Sequence, residues 1–288
     1  MPTPCANELL GFSPDARLLI INADDFGAYH AVTAGTFRAT TEGIARSTTV
    51  MMPCPWARHA LRLLKEHPEI SFGVHLTVVS EFTDYRWGPL SPRDRVPSLL
   101  DDSGYFHRND PGQPFLTHFV LDEVTLEIRA QIESVLAAGL QPTHLDWHCL
   151  RDGGRSDIFD LTVSLAREYG LALRVFDPAR GEHLMRQGLP TVDHEVVDST
   201  RLPTAGKTAH FIRILRELPP GLSEWAVHPA LPTPEARAID PWWAKRAADL
   251  EFLTSDEAHE TVQEEGIILL DYRPLQAHWR QRTPSRRA

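Results

Sequence analysis

The sequence lacks the features of several large protein classes. Lysine and arginine total 29 against 39 aspartate and glutamate residues, so the 288-residue chain carries a net charge of −10. This balance argues against the positive field that nucleic acid or anionic lipid binding requires. No apolar run approaches the ~18 residues of a membrane span, and residues 1–17 lack the basic start and apolar run of an export signal. We therefore expect no nucleic-acid partner, no membrane insertion and a cytoplasmic location.

Cysteine is scarce, and two common catalytic motifs are missing. Cys5, Cys54 and Cys149 make no C-x-x-C pair, and an odd number of cysteines in a chain this long predicts no disulfide framework. A reducing compartment fits this usage. We find no G-x-S-x-G sequence around a nucleophilic serine and no G-x-G-x-x-G loop after the first predicted strand. Histidine, in contrast, is abundant, with 14 residues.

Short β-rich runs alternate with amphipathic segments of helical length, which predicts an α/β fold with a parallel sheet. The β-rich runs are residues 18–23, 47–52, 71–78, 143–147, 171–176, 191–197, 224–228 and 266–272. The helical segments include residues 31–41, 55–66, 122–138, 158–169, 208–218 and 242–252. Up to eight strands suit a closed or distorted (β/α) barrel better than a nucleotide-binding sheet.

Length alone leaves one domain or two open. We divide the chain into an extension (1–17), a barrel (18–279) and a basic, frayed tail (280–288). Residues 80–116 interrupt the alternation with prolines and aromatic residues, and a loop this long is usually functional or disordered. Its aromatics favour an ordered lid or substrate wall over a plain surface excursion, and we place Tyr85 and Trp87 among the candidate substrate contacts or supporting residues.

Polar residues at the carboxyl ends of the predicted strands are the first candidates for a site, because parallel α/β folds collect ligands there. The first run ends in Asp24-Asp25, and His75 and His228 lie at the ends of two others. Neighbouring strand residues point to opposite faces, so the two aspartates share a site only where the chain leaves the strand, which Gly27 permits. The alternative for this pair is a helix N-cap.

The fourth run places His144, Asp146 and His148 on one strand face. Two histidines four residues apart lie roughly 13 Å from each other on a regular strand, too far to share one ion. His148, nearest the carboxyl end, is the better ligand, with Asp146 and His144 supporting it or reaching substrate. The alternative for each histidine alone, His75 included, is an ordinary core residue.

Considered together, these residues predict a catalytic metal site. Asp25, His75 and His148 would form a partial shell with open positions. Asp24 would then be the general base towards water, and His228 the general acid for the leaving group.

At these motifs the chain resembles the YdjC family of carbohydrate deacetylases, which includes ChbG-type chitooligosaccharide and HpnK-type hopanoid deacetylases. The matching pieces are LIINADDFG (19–27), GIARSTTVMM (43–52), GVHLT (73–77), PTHLDWH (142–148), LALR (171–174), VHPA (227–230) and RAADLEFL (246–253). The resemblance implies a single distorted TIM-like barrel related to NodB-type deacetylases, which turns the open domain count into one. It also implies metal-dependent removal of an N-acetyl group from an amino sugar.

Carried over by position, Asp25, His75 and His148 match the family's metal ligands, Asp24 its base and His228 its acid. Arg174 matches an arginine that orients the base, although an ordinary buried ion pair is an alternative. Leu150 stands where many members have a further histidine, which puts substrate preference in question. We expect Cys149 to be a packing residue rather than an extra soft donor.

The cofactor and the substrate stay partly open. A shell of two histidines and one aspartate favours Zn²⁺, Co²⁺ or Mn²⁺, whereas the resemblance suggests Mg²⁺. The expected partner is a small carbohydrate such as an N-acetylated chitooligosaccharide, and a homo-oligomer is possible. One alternative is a metal-dependent hydrolase of another N-acyl or ester substrate, such as a hopanoid-type glycolipid. Another is a catalytically silent carbohydrate-binding barrel.

Overall fold

The computed structural model describes residues 4–109 and 115–282 as one α/β unit. The eight strands are β1 (Arg17–Phe26), β2 (Ser47–Val50), β3 (Ser71–Leu76), β4 (His144–Trp147), β5 (Ala172–Leu173), β6 (Val197–Asp198), β7 (Gly221–Val227) and β8 (Ile268–Leu270). The α-helices are α1 (Ala6–Leu10), α2 (His30–Thr41), α3 (Ala57–Glu66), α4 (Phe115–His118), α5 (Leu121–Ala137), α6 (Ser156–Tyr169), α7 (Pro178–Arg186), α8 (Lys207–Arg216), α9 (Pro234–Ile239), α10 (Trp243–Leu253), α11 (Asp256–Glu264) and α12 (Arg273–Gln281). Short 3₁₀ turns lie at Arg93–Arg95, Pro97–Leu99, Arg151–Gly153 and Ser199–Arg201.

Each predicted β-rich run overlaps a strand, and the predicted order is confirmed. Two strands are much shorter than their runs, since β5 and β6 have two residues each. They stand at the two ends of the sheet path and have a hydrogen-bonded neighbour on one side only. Fewer ladder hydrogen bonds hold an end strand in place, which explains why apolar character extends further in the sequence than regular pairing does in the structure.

All strand pairs are parallel, and the sheet is curled. The strand order is β5-β4-β3-β2-β1-β7-β6, with β8 pairing to the start of β1. Glu224 on β7 and Arg174 after β5 are five strands apart, which in a flat sheet corresponds to roughly 24 Å. Their side chains nevertheless meet, with Arg174 Nε 2.7 Å from Glu224 Oε1. The sheet is therefore rolled into an incomplete barrel, because β5 and β6 do not pair within the described residues.

Alternation along β1 separates two regions of the core. Leu19 and Ile21 pack with residues of α8, α10 and α11 on the outside of the sheet, whereas Leu18 and Ile20 belong to the larger core cluster. Further along β1 the residues at the same spacing are Asn22 and Asp24, both buried. The barrel interior thus changes from apolar to polar towards the carboxyl ends of the strands.

Gly73 on β3 is required by close packing in the barrel interior. A β-carbon there would lie 2.6 Å from the backbone oxygen of His144 and 2.7 Å from its ring. That ring cannot retreat, because it stacks on Tyr272 at a centroid distance of 3.6 Å. We expect Gly73→Ala to lower the free energy of unfolding by about 3 kcal/mol, measured by urea denaturation. Gly139→Ala is the control: its β-carbon would meet open space, so only the left-handed backbone costs about 1 kcal/mol.

Helices lie near both ends of the described residues. The described part of the extension contains α1, and Asn7 is fully buried with its amide donating to the carbonyls of Ser13 and Ala16. Helix α12 runs to Gln281, so the predicted tail begins inside a helix, while residues 283–288 lie outside the described residues. Of the segment 80–116, residues 110–114 also lie outside them. No helix in the described ranges is long and apolar enough to cross a membrane.

Candidate active site

The two aspartates at the end of β1 reach the same site because the strand bulges. The β1–β2 register shifts between Ala23 and Phe26, and Asp25 has a left-handed backbone with φ of 68°. A bulge re-aims one side chain out of the regular alternation. The chain thus departs from the regular strand at Asp25 itself, before Gly27. The N-cap alternative is wrong, because α2 begins at His30 and Tyr29 stands at its N-cap.

Asp25, His75 and His148 come together as the sequence predicts. Asp25 Oδ1 lies 3.2 Å from His75 Nε2 and 3.0 Å from His148 Nδ1. All three residues are buried, and their donor atoms lie within 4.8 Å of one another. The other carboxylate oxygen of Asp25 accepts from Arg246 Nη1 at 2.7 Å. One oxygen is thereby held in place while the other faces the two imidazoles.

A carboxylate lies against the second nitrogen of each imidazole. His75 Nδ1 is 2.7 Å from Asp146 Oδ1, and His148 Nε2 is 2.7 Å from Glu81 Oε2. With an ion bound, the proton of each imidazole would lie on the nitrogen facing Asp146 or Glu81, and the nitrogen on the Asp25 side would be the electron-pair donor. This arrangement is typical of histidines that bind metal.

The donor set fits a divalent ion. Donors around a tetrahedral ion with bonds of about 2.0–2.1 Å lie roughly 3.3 Å apart, close to the 3.0 and 3.2 Å measured between Asp25 Oδ1 and the two nitrogens. Carboxylates also lie against both imidazoles, so the cluster favours positive charge at the histidines. Burial alone lowers the pKa of His75, yet the Asp146 carboxylate raises it to about 9. Burial likewise opposes the charged form of His148, but Cys149, followed by Glu81 and Asp25, raises its pKa.

Asp24 is held by a bidentate ion pair. Arg174 Nη1 and Nη2 lie 2.8 and 2.9 Å from its two oxygens, and Asn22 donates to Oδ1 at 2.7 Å. Burial alone would raise the pKa of Asp24, but the Arg174 charge outweighs it and lowers the pKa to about 2. The Asp24 side chain is therefore an oriented carboxylate at neutral pH, and the predicted contact with Arg174 is present.

Arg174 is surrounded by three buried carboxylates. Besides Asp24, its Nη1 lies 2.7 Å from Asp146 and its Nε lies 2.7 Å from Glu224. Arg174→Met would leave these charges uncompensated, so we expect the free energy of unfolding to fall by about 3–5 kcal/mol in urea denaturation. The control Arg38→Met breaks an exposed pair with Glu42 and should cost less than about 1 kcal/mol. Equal losses in the two variants would contradict this interpretation.

His228 follows β7 and faces Asp24 across the site. Its Nε2 lies 3.8 Å from Asp24 Oδ2, and its Nδ1 lies 3.1 Å from the Ser199 hydroxyl. That hydroxyl donates to Asp249 at 2.6 Å, so its oxygen is free to accept from a protonated Nδ1. The backbone N–H of His228 also donates to Asp249. The imidazole is thus fixed with Nε2 directed towards the reaction space.

A cavity of about 300 Å³ is lined by the two aspartates and three of the histidines described above, Asp24, Asp25, His75, His148 and His228. Its wall includes Phe176 and Trp242, and the Trp242 side chain is 42% exposed. A second cavity of about 650 Å³ shares Glu81, Asn109 and Cys149, as well as Trp242, with the first. The two cavities adjoin at these residues, and we call them together the cleft.

Other candidate residues lie behind the cavity rather than in it. His144 is buried, stacks on Tyr272 and contacts Thr143, which matches the core-histidine alternative. Burial and the Arg174 charge lower its pKa well below the usual value. Trp87 is 2% exposed and its ring lies edge-on to His148 at 6.0 Å, so of its two predicted positions it occupies the supporting one. The Tyr85 hydroxyl donates to the carbonyl of Ala28.

Segment 80–116, the predicted lid or substrate wall, contributes Glu81 and Asn109 to the first cavity, but no aromatic ring among its described side chains lines that cavity. Among the residues of segment 80–116 whose side chains the structure describes, the large aromatics that pack inwards are Phe82, Trp87 and Phe106. Phe82 touches the second cavity, but the aromatic surfaces of the first cavity come from Phe176, Trp147 and Trp242, outside that segment. Aromatic rings pack into the apolar core wherever the segment contacts that core. The amino-acid composition of a segment does not distinguish core packing from contact with a ligand.

Several site residues are missed by the sequence analysis. Arg246 anchors Asp25 and also pairs with Asp240, while Glu81 holds His148. Arg246 is the first residue of the motif RAADLEFL, and its place in this motif is the sequence signal for a role in the site. Glu81 lies in an irregular segment, where no periodicity indicates direction. The prediction that Cys149 is a packing residue is wrong. Cys149 is exposed on the cleft, at a position where the backbone is left-handed with φ of 59°.

Comparisons with known proteins agree with the motifs. The family model of YdjC-like proteins matches residues 18–264. A carbohydrate deacetylase of Thermoanaerobacter pseudethanolicus is 31% identical over 89% of this chain and 98% of its own length. One of Enterococcus faecalis is 32% identical over 90% and 98%. The solved structure of a candidate cellobiose-phosphate cleavage protein from Enterococcus faecalis V583 is similar, with a TM-score of 0.78 and 30% identity over 90% of this chain and 99% of that one.

Proposed function

Because the chain belongs to the YdjC-like family, we propose that it is a carbohydrate deacetylase that hydrolyses the N-acetyl group of an N-acetylated amino sugar. One observation carries the proposal: an ionised Asp24, a cluster of metal-ligand type and His228 border one cavity. Relatives named carbohydrate deacetylase support the reaction class. The second cavity beside the first supports a substrate longer than one sugar, such as a chitooligosaccharide.

Asp25, His75 and His148 would hold the divalent ion. When bound, such an ion polarises an acyl carbonyl and makes nearby water more acidic. The donor atoms suit Zn²⁺ or another transition metal on ligand softness, and Mg²⁺ stays the choice that the family resemblance suggests.

The chain's own residues then move the protons. Asp24 accepts a proton from the water that adds to the acetyl carbon, and Arg174 keeps both carboxylate oxygens in position. His228, protonated, gives the Nε2 proton to the departing nitrogen as the carbon–nitrogen bond breaks. The products are acetate and a free amino sugar. His228 Nε2 lies 3.8 Å from Asp24 Oδ2. The amide of the substrate would therefore bind beside both side chains.

Acetate release from N-acetylglucosamine oligomers of increasing length tests the proposal. We expect release with added divalent ion and rising kcat/KM from one sugar to two. If the protein hydrolyses only other N-acyl or ester compounds, the proposed substrate class is wrong and those compounds take its place. Binding of oligomers with no hydrolysis of any acyl compound would favour the silent carbohydrate-binding barrel.

His228→Asn isolates the acid step. Asparagine keeps an N–H that can donate to Ser199 but supplies no titratable proton, so we expect kcat on the amide to fall about 100-fold. An acetyl ester whose leaving group needs no proton should lose much less rate. Equal losses on the two substrates, measured by steady-state kinetics, would assign His228 to positioning instead.

A further inference from the structure

His148 has a second cluster of ligands on its other side. Its Nε2 lies 2.7 Å from Glu81 Oε2 and 3.4 Å from Cys149 Sγ. The donor atoms of these three residues lie within 4.8 Å of one another, like those of the first cluster. His148 is the shared member: its Nδ1 faces Asp25 and its Nε2 faces Glu81 and Cys149.

We propose that Glu81, His148 Nε2 and Cys149 form a second ion site, specific for a thiophilic divalent ion such as Zn²⁺ or Co²⁺. Thiolate and imidazole select these ions, whereas Mg²⁺ requires oxygen ligands. Three protein donors leave a position open towards the cleft, which both cavities share at Glu81 and Cys149. This site does not depend on the deacetylation reaction.

The two donor separations at His148 Nε2 need only a small adjustment to fit an ion. Tetrahedral donors at bonds of about 2.0–2.3 Å lie roughly 3.3–3.7 Å apart, so the sulfur–nitrogen separation of 3.4 Å already fits. The shorter oxygen–nitrogen contact at Glu81 exists because a proton lies between the atoms. When an ion replaces this proton, the carboxylate has to move by roughly 0.6 Å, which its side-chain rotation permits.

The backbone at Cys149 supports a role on the cleft. Among the described residues, Asp25, Cys149 and Asp152 are the non-glycine residues with positive φ. This conformation costs roughly 1–2 kcal/mol for a residue with a β-carbon. At Asp25 the strained backbone aims a side chain at the first cluster. At Cys149 it turns the thiol out of the core and towards His148 Nε2.

Binding at the second site displaces protons. The Cys149 thiol and the Nε2–H of His148 must both lose a proton to solvent, and with both sites filled the imidazole bridges two ions. The second ion therefore binds more weakly than the first and requires an excess of the metal. If the proposed function is right, excess Zn²⁺ should inhibit by occupying the cleft, and excess Mg²⁺ should not.

Cobalt titration of the metal-free full chain tests the site without any assay of activity. We expect two Co²⁺ per chain by equilibrium dialysis, and a thiolate-to-cobalt charge-transfer absorption in the near ultraviolet that grows with the second equivalent. Cys149→Ser should bind one Co²⁺ without this absorption. Glu81→Gln should weaken the second equivalent at least tenfold, because a neutral amide is a poor ligand.

Cys54→Ala is the matched control, since this buried thiol lies near the same groups but outside the cluster. It should keep both equivalents and the absorption. Binding of a single Co²⁺ by the wild type without this absorption, an absorption that persists in Cys149→Ser, or its loss in Cys54→Ala would each overturn the second site. None of these results bears on acetate release, so failure of this proposal and failure of the proposed function are distinguishable.

Discussion

Replacing Asp24 with asparagine is expected to lower kcat for acetate release by about a thousandfold while the fold is retained. Asparagine has nearly the same shape, and its oxygen still accepts from Arg174. Arg174 also keeps its contacts with Asp146 and Glu224, so its charge stays compensated. What the variant loses is the carboxylate that takes a proton from water, and KM should change little.

The control for this variant is Asp193→Asn. Asp193 also hydrogen-bonds through its carboxylate, to the backbone N–H groups of Ala6 and Leu222, but it lies beside the start of β7, away from the site. The kcat of Asp193→Asn for acetate release should stay near that of the wild type. If Asp24→Asn kept more than a tenth of the wild-type kcat at saturating metal, Asp24 would not be the base.

Removal of the divalent ion is the second change with a large expected effect. Exhaustive chelation should reduce acetate release at least a thousandfold, because stabilisation of a developing oxyanion is worth several kcal/mol. Adding back a divalent ion should restore the rate. Elemental analysis of the chelated and restored protein, run beside the activity assay, ties the rate to metal content.

Two variants compare the loss of metal affinity at a proposed ligand with the loss at a residue that holds a ligand. His75→Ala removes a proposed ligand and should abolish binding of the ion at micromolar concentration. Asp146→Asn removes the carboxylate that holds His75 Nδ1 and should weaken binding about 10–100-fold, with activity recovered at high metal. Full activity in protein with less than a tenth of an ion per chain would contradict the metal-dependent mechanism.

The fold was largely predictable because its elements have strong local signals. Apolar runs of five to eight residues predicted all eight strands in order. Segments with three- and four-residue spacing predicted six of the helices, namely α2, α3, α5, α6, α8 and α10. The two end strands β5 and β6 were predicted too long, since apolar character does not report how many hydrogen-bonded neighbours a strand has. The incomplete closure of the barrel could not be predicted from the sequence either, because closure depends on which strands pair with one another.

The placement of site residues was predictable in part. The adjacent aspartates and the histidines at strand ends mark their places by polarity within apolar surroundings, and the structure brings Asp25, His75 and His148 together. Trp87, Tyr85 and His144 were harder, because an aromatic or imidazole ring has the same sequence signal in a core and in a cavity. Their positions depend on what packs against them, such as Tyr272 on His144.

The sequence by itself determined the α/β alternation, the edge of the sheet where polar groups gather and the family to which the chain belongs, because these follow from local periodicity and short motifs. Only the tertiary structure decided that Arg246 and Glu81 hold the proposed ligands and that Cys149 faces the cleft. Each of these contacts joins segments far apart in the chain, or depends on a backbone angle that no side-chain pattern specifies. The curvature of the sheet and two left-handed residues set them.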